Sequence, residues 1–264
     1  MNKLPISAIV IGFNESKKLG RCLDSIMFCD EVAYVDLGSN DDSLIIAAKY
    51  ANKIFKYKLV PSGEYAQAFF VPKLKHDWIL YIDPDEVLDF KLQDKIKMIF
   101  SSLNFDSSVA SVSVPWKFYF KNIQLKGTPW GLEVGKPILA NRNRFDFFPV
   151  THYGRRNKPG FKTQYIKDDE NGSLHHFWVE SLFEFISKHA RYLKKEGVDR
   201  FNLGHRTNFL KLVKIPVWQF YYAFISCKGY KNFILGFLLS CFWTLYQFVS
   251  ELKLFLYQLK VKKN

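Results

Sequence analysis

The first third of the chain alternates short apolar runs with amphipathic stretches. After the first run, which Gly12 closes, apolar or small residues recur at helical spacing from Leu19 to Ile26, and residues 43–50 form a second such stretch. The apolar runs predict four strands, at residues 6–11, 32–35, 53–57 and 78–82. Strands that alternate with helices need crossover connections, so the pattern predicts an α/β fold whose mainly parallel sheet is covered by helices.

The pattern loosens in the middle of the chain and becomes helical again towards its end. Glycines and prolines interrupt residues 109–172, where we expect irregular structure made of short strands and turns. Residues 179–196 have helical periodicity. Two uncharged apolar stretches follow, at residues 215–227 and 232–250, and predict a helical element at the end of the chain.

Three clusters of polar residues stand directly after predicted strands. Asn14 and Glu15 come after the first strand, Asp36 after the second, and Asp83-Pro84-Asp85-Glu86 after the fourth. Ligands of such sheets bind beyond the carboxyl ends of the strands, so we expect the clusters to converge on one edge. Each cluster alone is equally well read as a loop cap, and Asp85-Glu86 also suits the start of a solvated helix; the three together favour a site.

The Asp83-Pro84-Asp85 triplet has the chemistry of a divalent-metal site. Mg²⁺ and Mn²⁺ prefer oxygen ligands, and Mg²⁺ commonly takes one or two carboxylates together with phosphate oxygens. A metal ion that bridges a diphosphate neutralises the charge of the departing group. An Asp-x-Asp triplet is a weak signal by itself, so this expectation depends on the other two clusters.

Three segments also resemble a known family in their order and spacing. They are residues 9–15 (IVIGFNE), 35–41 (VDLGSND) and 78–86 (WILYIDPDE). Here the chain resembles the family 2 glycosyltransferases, in particular the bacterial subgroup with lipopolysaccharide core β-glucosyltransferases, and the likeness extends through His176 to the aromatic tail. It implies a GT-A fold, a nucleotide-sugar donor with a UDP-sugar foremost, and a saccharide or glycolipid acceptor of the lipopolysaccharide or capsule type.

The resemblance implies a donor-binding role for several of these polar residues. Asp36 would hold the base or ribose, because a carboxylate accepts hydrogen bonds from imide N–H groups and sugar hydroxyls. Asn14, Glu15 and Ser39 would line the same pocket, and Asp83 would touch the ribose or the metal ion.

The resemblance also implies the ligands of the Mg²⁺ or Mn²⁺ ion. Asp85 would be the principal ligand, Asp83 a second and His176 a third, as a neutral imidazole. A capped, partly buried histidine is the alternative for His176, and the neighbouring His175 leaves open which of the two faces the site.

An inverting transfer needs a general base that deprotonates the acceptor hydroxyl. In the family an Asp or Glu downstream of the metal motif acts in this way, and Glu133 is our candidate because its aromatic and glycine-rich loop suits a sugar-binding wall. A surface glutamate is the alternative. The subgroup often has a His-Glu pair where this chain has His152-Tyr153, so His152 is a second candidate base, an acceptor contact or a structural residue.

One segment departs from the family pattern. Relatives tend to carry a Lys or Arg and an Asn before the fourth strand, whereas this chain has Gln67-Ala68-Phe69-Phe70. We expect either that another basic residue takes over the missing phosphate or base contact, or that donor binding is unusual.

The end of the chain is basic and aromatic. From Lys188 onward there are 14 Lys and Arg against 3 Asp and Glu, in a chain of net charge +13. We expect a glycosyltransferase domain at 1–205 and a membrane-associating tail at 206–264. Residues 232–250 are long enough for a span, but lysines on both sides favour peripheral or monotopic attachment to the anionic inner leaflet. A buried helix pair is the alternative.

These observations together predict an inverting glycosyltransferase on the cytoplasmic face of the inner membrane. The N-terminus has no signal-peptide pattern, which agrees with a cytoplasmic enzyme. The alternative is a catalytically degraded, membrane-associated binding protein on the same fold. Nucleic acid is not an expected partner, because the positive charge is interleaved with long apolar stretches. A nucleotidyltransferase would need a glycine-rich basic loop after the first strand, which Gly12-Phe13-Asn14-Glu15 is not.

Overall fold

The computed structural model of the chain describes residues 3–101, 106–132, 135–150, 154–166, 172–179, 181–202 and 204–263. These residues form two compact units. The first comprises Met1–Lys117 and Glu133–His176, and the second comprises Phe118–Leu132 and Phe177–Asn264.

The first unit begins with a parallel α/β layer, as the sequence predicts. Its four strands lie side by side in the order β3-β2-β1-β4, and each pair runs parallel. The strands are β1 (Leu4–Gly12), β2 (Cys29–Asp36), β3 (Lys53–Lys56) and β4 (Trp78–Ile82). The helices between them are α1 (Ser16–Asp24), α2 (Ser43–Tyr50) and α3 (Gly63–Phe70), the last followed by a 3₁₀ turn at Val71–Lys73. The predicted bounds of α2 and β4 are confirmed to the residue.

The ten-stranded sheet continues beyond β4 in the order β4-β8-β6-β12-β5, in which the β4–β8, β8–β6 and β12–β5 pairs are antiparallel; β7 pairs with β6 antiparallel and β11 pairs with it parallel. The strands are β5 (Glu86–Leu88), β6 (Val109–Phe120), β7 (Ile123–Gln124), β8 (Gly135–Asn141), β11 (Lys162–Tyr165) and β12 (Leu174–Val179). A separate antiparallel ladder joins β9 (Phe145–Phe147) to β10 (Arg155–Asn157). Two helices, α4 (Phe90–Ser101) and α5 (Thr128–Gly131), complete this part.

The described parts of this range, residues 109–132, 135–150 and 154–166, are therefore more regular than the glycines and prolines predict. β6 extends over 12 residues and pairs with β8, which in turn pairs with β4. Strands distant in sequence supply the backbone hydrogen bonds of these segments, and a local sequence pattern cannot reveal such long-range pairing.

The strands β1, β2 and β4 are buried on both faces, whereas the edge strand β3 is largely exposed. Ala8 and Val10 of β1 pack in one apolar cluster, and Ile9 between them packs in another. Tyr81 of β4 joins the second cluster and is 1% exposed. Since successive side chains of a strand point to opposite faces, this burial explains why the strands read as continuous apolar runs.

Besides β7, α5 and the ends of β6 and β12, the second unit consists of three longer helices. They are α6 (Leu182–Asn202), α7 (Phe209–Phe220) and α8 (Phe233–Lys263), with a π-helical segment at Tyr221–Ser226 and a 3₁₀ turn at Gly229–Asn232. Polar contacts join α6 to α8: Arg200 binds Glu251 at 2.6 Å, and the Tyr246 hydroxyl donates to Glu196 at 2.7 Å. The boundary expected between residues 205 and 206 consequently falls inside this unit, because α6 packs with the tail helices.

The turn between α7 and α8 is held by the 118–132 segment of the same unit. The Asn232 side chain accepts a hydrogen bond from the Lys126 amide at 2.7 Å and donates one to the Gln124 carbonyl at 2.8 Å. The Thr128 amide donates to the Cys227 carbonyl at 2.8 Å. The turn is thus a fixed corner, and it sets the path of the helix that follows.

Many large apolar side chains of the second unit are exposed. They recur at helical spacing on α7 and the first turns of α8, and Val217, Trp218, Phe233 and Ile234 are between 62% and 85% exposed. Within the described part of the chain, Gly229–Val261 is the segment long and apolar enough to cross a membrane, and 22% of its most apolar window is buried. The predicted apolar helical element at the end of the chain is confirmed.

Candidate functional site

The loops after β1 and β2 are locked together by hydrogen bonds. The Asn14 amide donates to Ser39 Oγ at 2.9 Å, and Asn14 Oδ1 accepts from the Asn40 amide at 2.9 Å. The Glu15 amide donates to Ser43 Oγ at 2.9 Å. Asn14 adopts a left-handed backbone with φ 58, which asparagine tolerates better than most residues. The structure thus brings together the predicted donor residues Asn14, Glu15 and Ser39.

Asp36 lies beneath this pair of loops. It is 2% exposed, and its carboxylate accepts hydrogen bonds from the amides of Gly38 at 3.1 Å and Ser39 at 3.2 Å. Gly38 has φ 93, a conformation that favours glycine. Asp36 therefore shapes the loop that presents Ser39.

The ends of β1, β2 and β4 meet at one edge, as the sequence predicts. Gly12 is in register with Asp36, and Val10 with Ile82. A methyl group on Gly12 would lie 2.7 Å from Tyr34 Oη and 3.3 Å from Pro84 Cγ. Glycine at position 12 therefore allows the strand ends to approach closely.

The residues after β4 form a tight turn around a buried ammonium group. The Asp83 amide donates to Glu86 Oε2 at 2.8 Å. Lys136 of β8 places its Nζ 2.8 Å from Asp83 Oδ2 and 2.6 Å from Glu86 Oε1. The Glu86 side chain is 0% exposed, and that of Asp83 is 52% exposed. Lys136 thus compensates a buried carboxylate and positions a half-exposed one.

Burial and these ion pairs set the protonation of the cluster. Burial alone would lower the pKa of Lys136, but Asp83 and Glu86 raise it well above its usual value, so the lysine stays protonated. Desolvation would raise the pKa of Asp83, but the Lys136 ammonium lowers it below its usual range. Burial raises the pKa of Glu86.

Asp85 and His176 form a second pair in the same turn. His176 Nε2 lies 3.2 Å from Asp85 Oδ2, and His175 instead lies 3.1 Å from Asp89. Antiparallel pairing of β12 with β5 sets this register, since His176 is opposite Glu86. The Trp116 ring stacks on the His176 imidazole at 5.3 Å with an interplanar angle of 5°. The ambiguity between the two histidines is thereby resolved in favour of His176.

This pair fits a divalent cation that a diphosphate helps to bind. Among the described residues, no three His, Cys, Asp or Glu side chains are grouped closely enough to hold a metal ion. Asp85 and His176 supply an oxygen and a nitrogen, whereas the structure directs Asp83 to Lys136. Mg²⁺ in particular is often held by one or two carboxylates and completes its shell with phosphate oxygens and water.

The cations near this site come from β8 and β10. Gln67 of α3, in the segment where the family resemblance led us to expect a cation, is buried, with 4% exposure. Arg155 of β10 binds Glu64 of α3 at 2.9 Å and lies over the Tyr81 ring at 5.2 Å. The sequence places Glu86 in the acidic cluster without assigning it a role, and it does not point to Lys136 or Arg155; the one available signal for these cations is the concentration of acid after β4, which requires a nearby cation.

The two predicted general bases, Glu133 and His152, lie outside the described residues.

A helix-covered, mainly parallel sheet with an acidic turn after its fourth strand is the arrangement of a GT-A glycosyltransferase. The family model for glycosyl transferase family 2 matches residues 7–162, so the chain belongs to this family and is a glycosyltransferase.

The chain is similar over most of its length to curated proteins. It is 25% identical over 270 residues to the lipopolysaccharide core biosynthesis glycosyltransferase LpsC of Rhizobium meliloti, which covers 99% of this chain and 96% of that protein. It is 26% identical over 264 residues to an uncharacterized glycosyltransferase of Rickettsia conorii, covering 94% and 89%. The structure of glucosyl-3-phosphoglycerate synthase from Mycobacterium tuberculosis matches with TM-score 0.36 and 20% identity over 43% of this chain and 44% of that one.

Proposed function

We propose that this glycosyltransferase transfers a sugar, with inversion, from a nucleotide-diphosphate sugar to a saccharide or glycolipid acceptor of the lipopolysaccharide core. The acceptor class is supported by the Rhizobium relative, a lipopolysaccharide core biosynthesis glycosyltransferase that matches 99% of this chain. The observation that carries the proposal is the Asp85–His176 pair, 3.2 Å apart beside the Lys136 ion pairs at the end of β4.

We assign the donor to the edge formed by β1, β2 and β4. The interlocked loops of Asn14, Glu15 and Ser39 receive the nucleoside, and Asp36 holds the loop in shape. Asp85 and His176 hold Mg²⁺ or Mn²⁺, and the metal ion, when bound, neutralises the diphosphate as the sugar–phosphate bond breaks. The UDP-sugar is the donor we test first.

The chain's own side chains hold the acidic turn in place beside the diphosphate. Lys136 stays protonated between Asp83 and Glu86 and fixes the position of Asp83. Asp83, half exposed and ionised, remains a proposed contact to the ribose or metal ion. Glu133 and His152 remain the proposed candidates for the base that activates the acceptor hydroxyl.

Two neighbouring histidines provide a matched test of the metal site. Thermal stabilisation by UDP, GDP or CDP is measured with Mn²⁺ and with EDTA. We expect stabilisation by UDP with Mn²⁺, its loss in Asp85→Asn and His176→Asn, and its retention in His175→Asn, since His175 faces Asp89. Equal loss in both histidine variants, or unchanged stabilisation in Asp85→Asn, would refute the assignment. Sugar release from UDP-hexoses is the parallel activity readout.

We further propose that the enzyme is monotopic on the cytoplasmic face of the membrane, with α7 and the start of α8 lying in the interface. The exposed lysines Lys211, Lys214, Lys228 and Lys231 flank the exposed apolar side chains. A span by α8 would carry Glu251, bound to Arg200 at 2.6 Å and Lys211 at 3.0 Å, into the bilayer, which is costly.

Cys241 gives this membrane proposal a direct readout. It is exposed on α8, whereas Cys22, Cys29 and Cys227 are buried, so it can be labelled selectively with a polarity-sensitive dye. We expect a blue shift with vesicles that contain phosphatidylglycerol and quenching by shallow, not mid-bilayer, quenchers. Trp218→Glu should weaken vesicle binding, and Ile45→Glu, an equally exposed apolar residue of the first unit, should not. Mid-bilayer quenching would indicate a span.

A further inference from the structure

A pocket of about 360 Å³ lies in the first unit, next to the ion pairs at the end of β4. Its walls come from β4, β6, β8, β9, β10 and β11, and Lys136 belongs both to this pocket and to the turn of Asp83. In the sheet order, β8 and β6 follow β4 on the side opposite β1 and β2. The pocket is thus on the other side of β4 from the loops to which the donor nucleotide is assigned.

The lining of the pocket is strongly basic. Three of its ten lining residues are cations, Lys136, Arg155 and Arg156, and no carboxylate is among the ten. Two of the cations form ion pairs with carboxylates that have little exposure: Lys136 with Glu86, and Arg155 with Glu64. Their orientation is fixed, and much of their charge is already compensated.

Arg156 is the third cation of the pocket, and these two ion pairs do not compensate its charge. It is exposed, and its guanidinium lies 5.0 Å from the centre of the Phe148 ring. Asp146 is opposite Arg156 in the β9–β10 ladder, but its carboxylate forms its ion pair with Lys158 at 4.0 Å. A guanidinium at the edge of such a pocket binds a carboxylate or phosphate with two parallel hydrogen bonds.

The remaining lining residues suit a sugar ring. Ser111 Oγ lies 2.9 Å from both Asn157 Oδ1 and Thr163 Oγ1, and the Asn157 amide donates to Thr163 at 2.9 Å. This network is a rigid set of hydroxyl and amide groups. Trp116 and Tyr81 contribute aromatic surface. A pocket of this size with a few fixed polar groups and aromatic walls is typical of small-ligand sites.

We propose that this pocket binds the carboxylate or phosphate of an acidic sugar in the acceptor, with Arg156 as its principal contact. The inference rests on the proposed function, because it assigns the acceptor to the side of β4 away from the donor. It adds the chemical class of the acceptor: the enzyme binds an anionic saccharide and discriminates against the neutral counterpart of that saccharide. Arg156 is thereby a specificity-determining residue.

The test compares probes that share a ring and differ in charge. Binding of glucuronate, glucose 6-phosphate and glucose to the full chain is followed by NMR titration, in EDTA so that no metal ion contributes. We expect both anionic probes to bind at least about tenfold more tightly than glucose, the equivalent of one charge-assisted hydrogen bond pair. Which of the two anions binds more tightly identifies carboxylate or phosphate as the preferred group.

The variant Arg156→Gln should abolish the preference for the anionic probes. Lys162→Gln is the matched control, because it removes an exposed cation next to Thr163 that does not line the pocket. Equal binding of the three probes, no millimolar binding of either anion, or an equal loss of preference in both variants would overturn the inference. Stabilisation by UDP and Mn²⁺ should persist in Arg156→Gln, so failure here is distinguishable from failure of the donor-site assignment.

Discussion

Replacing Lys136 with methionine tests how strongly the buried ion pairs hold the acidic turn. Methionine keeps most of the length and apolar stem of lysine but removes the ammonium that lies 2.6 Å from Glu86 and 2.8 Å from Asp83. Glu86, with 0% side-chain exposure, is then a buried charge without its cation. Asp83 is half exposed and can be solvated.

The cost follows from this difference in exposure. Removing one partner of a buried ion pair destabilises a protein by about 3–5 kcal/mol, whereas an exposed pair contributes about 0–1 kcal/mol. We therefore expect Lys136→Met to lower the free energy of unfolding by about 3–5 kcal/mol, nearly all of it through Glu86. For a chain of this size this corresponds to a decrease in Tm on the order of 10 °C.

The assay is urea and thermal unfolding of a double-mutant cycle. Lys136→Met/Glu86→Gln should recover most of the lost stability, because glutamine removes the buried charge and can still accept from the Asp83 amide. Lys53→Met is the matched control: Lys53 pairs with buried Glu31, but its own side chain is 43% exposed. If Lys136→Met costs no more than Lys53→Met, or if Glu86→Gln restores nothing, the electrostatic account of this turn is incorrect.

Three further variants test the loops and the helical corner. Gly12→Ala should cost about 1–3 kcal/mol, because its methyl group would lie 2.7 Å from buried Tyr34 Oη. Gly20→Ala in α1, whose methyl group would have its nearest contact at 3.6 Å, should instead stabilise the fold by up to about 1 kcal/mol. Thermal unfolding of the two variants measures the difference. Desolvation alone would raise the pKa of Asp41, but hydrogen bonds from the starts of α1 and α2 bring this pKa to about 2. The ionised Asp41 carboxylate stabilises the fold above about pH 3.9, and this stabilisation is lost as the pH falls towards 2. Asp41→Asn should therefore lower the free energy of unfolding by about 1 kcal/mol at pH 7, and the difference from the parent chain should shrink in unfolding experiments at decreasing pH. Asn232→Ala removes both hydrogen bonds that fix the turn before α8 and should cost about 1–3 kcal/mol in urea unfolding, with no change if the corner is held elsewhere.

The parallel part of the fold was predictable from local pattern. Strands β1, β2 and β4 are buried on both faces and read as apolar runs, and the expected bounds of Trp78–Ile82 and Ser43–Tyr50 agree with the structure to the residue. The convergence of Asn14, Asp36 and Asp83 on one edge followed from the geometry of parallel sheets alone. Local spacing was sufficient here because each strand and its crossover helix are adjacent in sequence.

The site beyond β4 was not predictable in the same way. Lys136 reaches Asp83 across 53 positions, and Arg155 reaches Glu64 across 91, through antiparallel pairing that leaves no local signature. The cation missing from residues 67–70 prompted the expectation that another basic residue takes its place, but no spacing rule identifies which one. The choice between His175 and His176 likewise needed the register of β12 on β5.

The flat stack of Trp116 on His176 also has an optical consequence. An indole 5.3 Å from an imidazole and nearly parallel to it senses the charge and electron demand of that ring. Coordination of His176 by a paramagnetic ion such as Mn²⁺ would quench the emission of Trp116, and the change would be absent from the spectrum of Trp116→Phe. If His176 ligates the metal ion as proposed, Trp116 would report metal binding in real time and without a labelled donor.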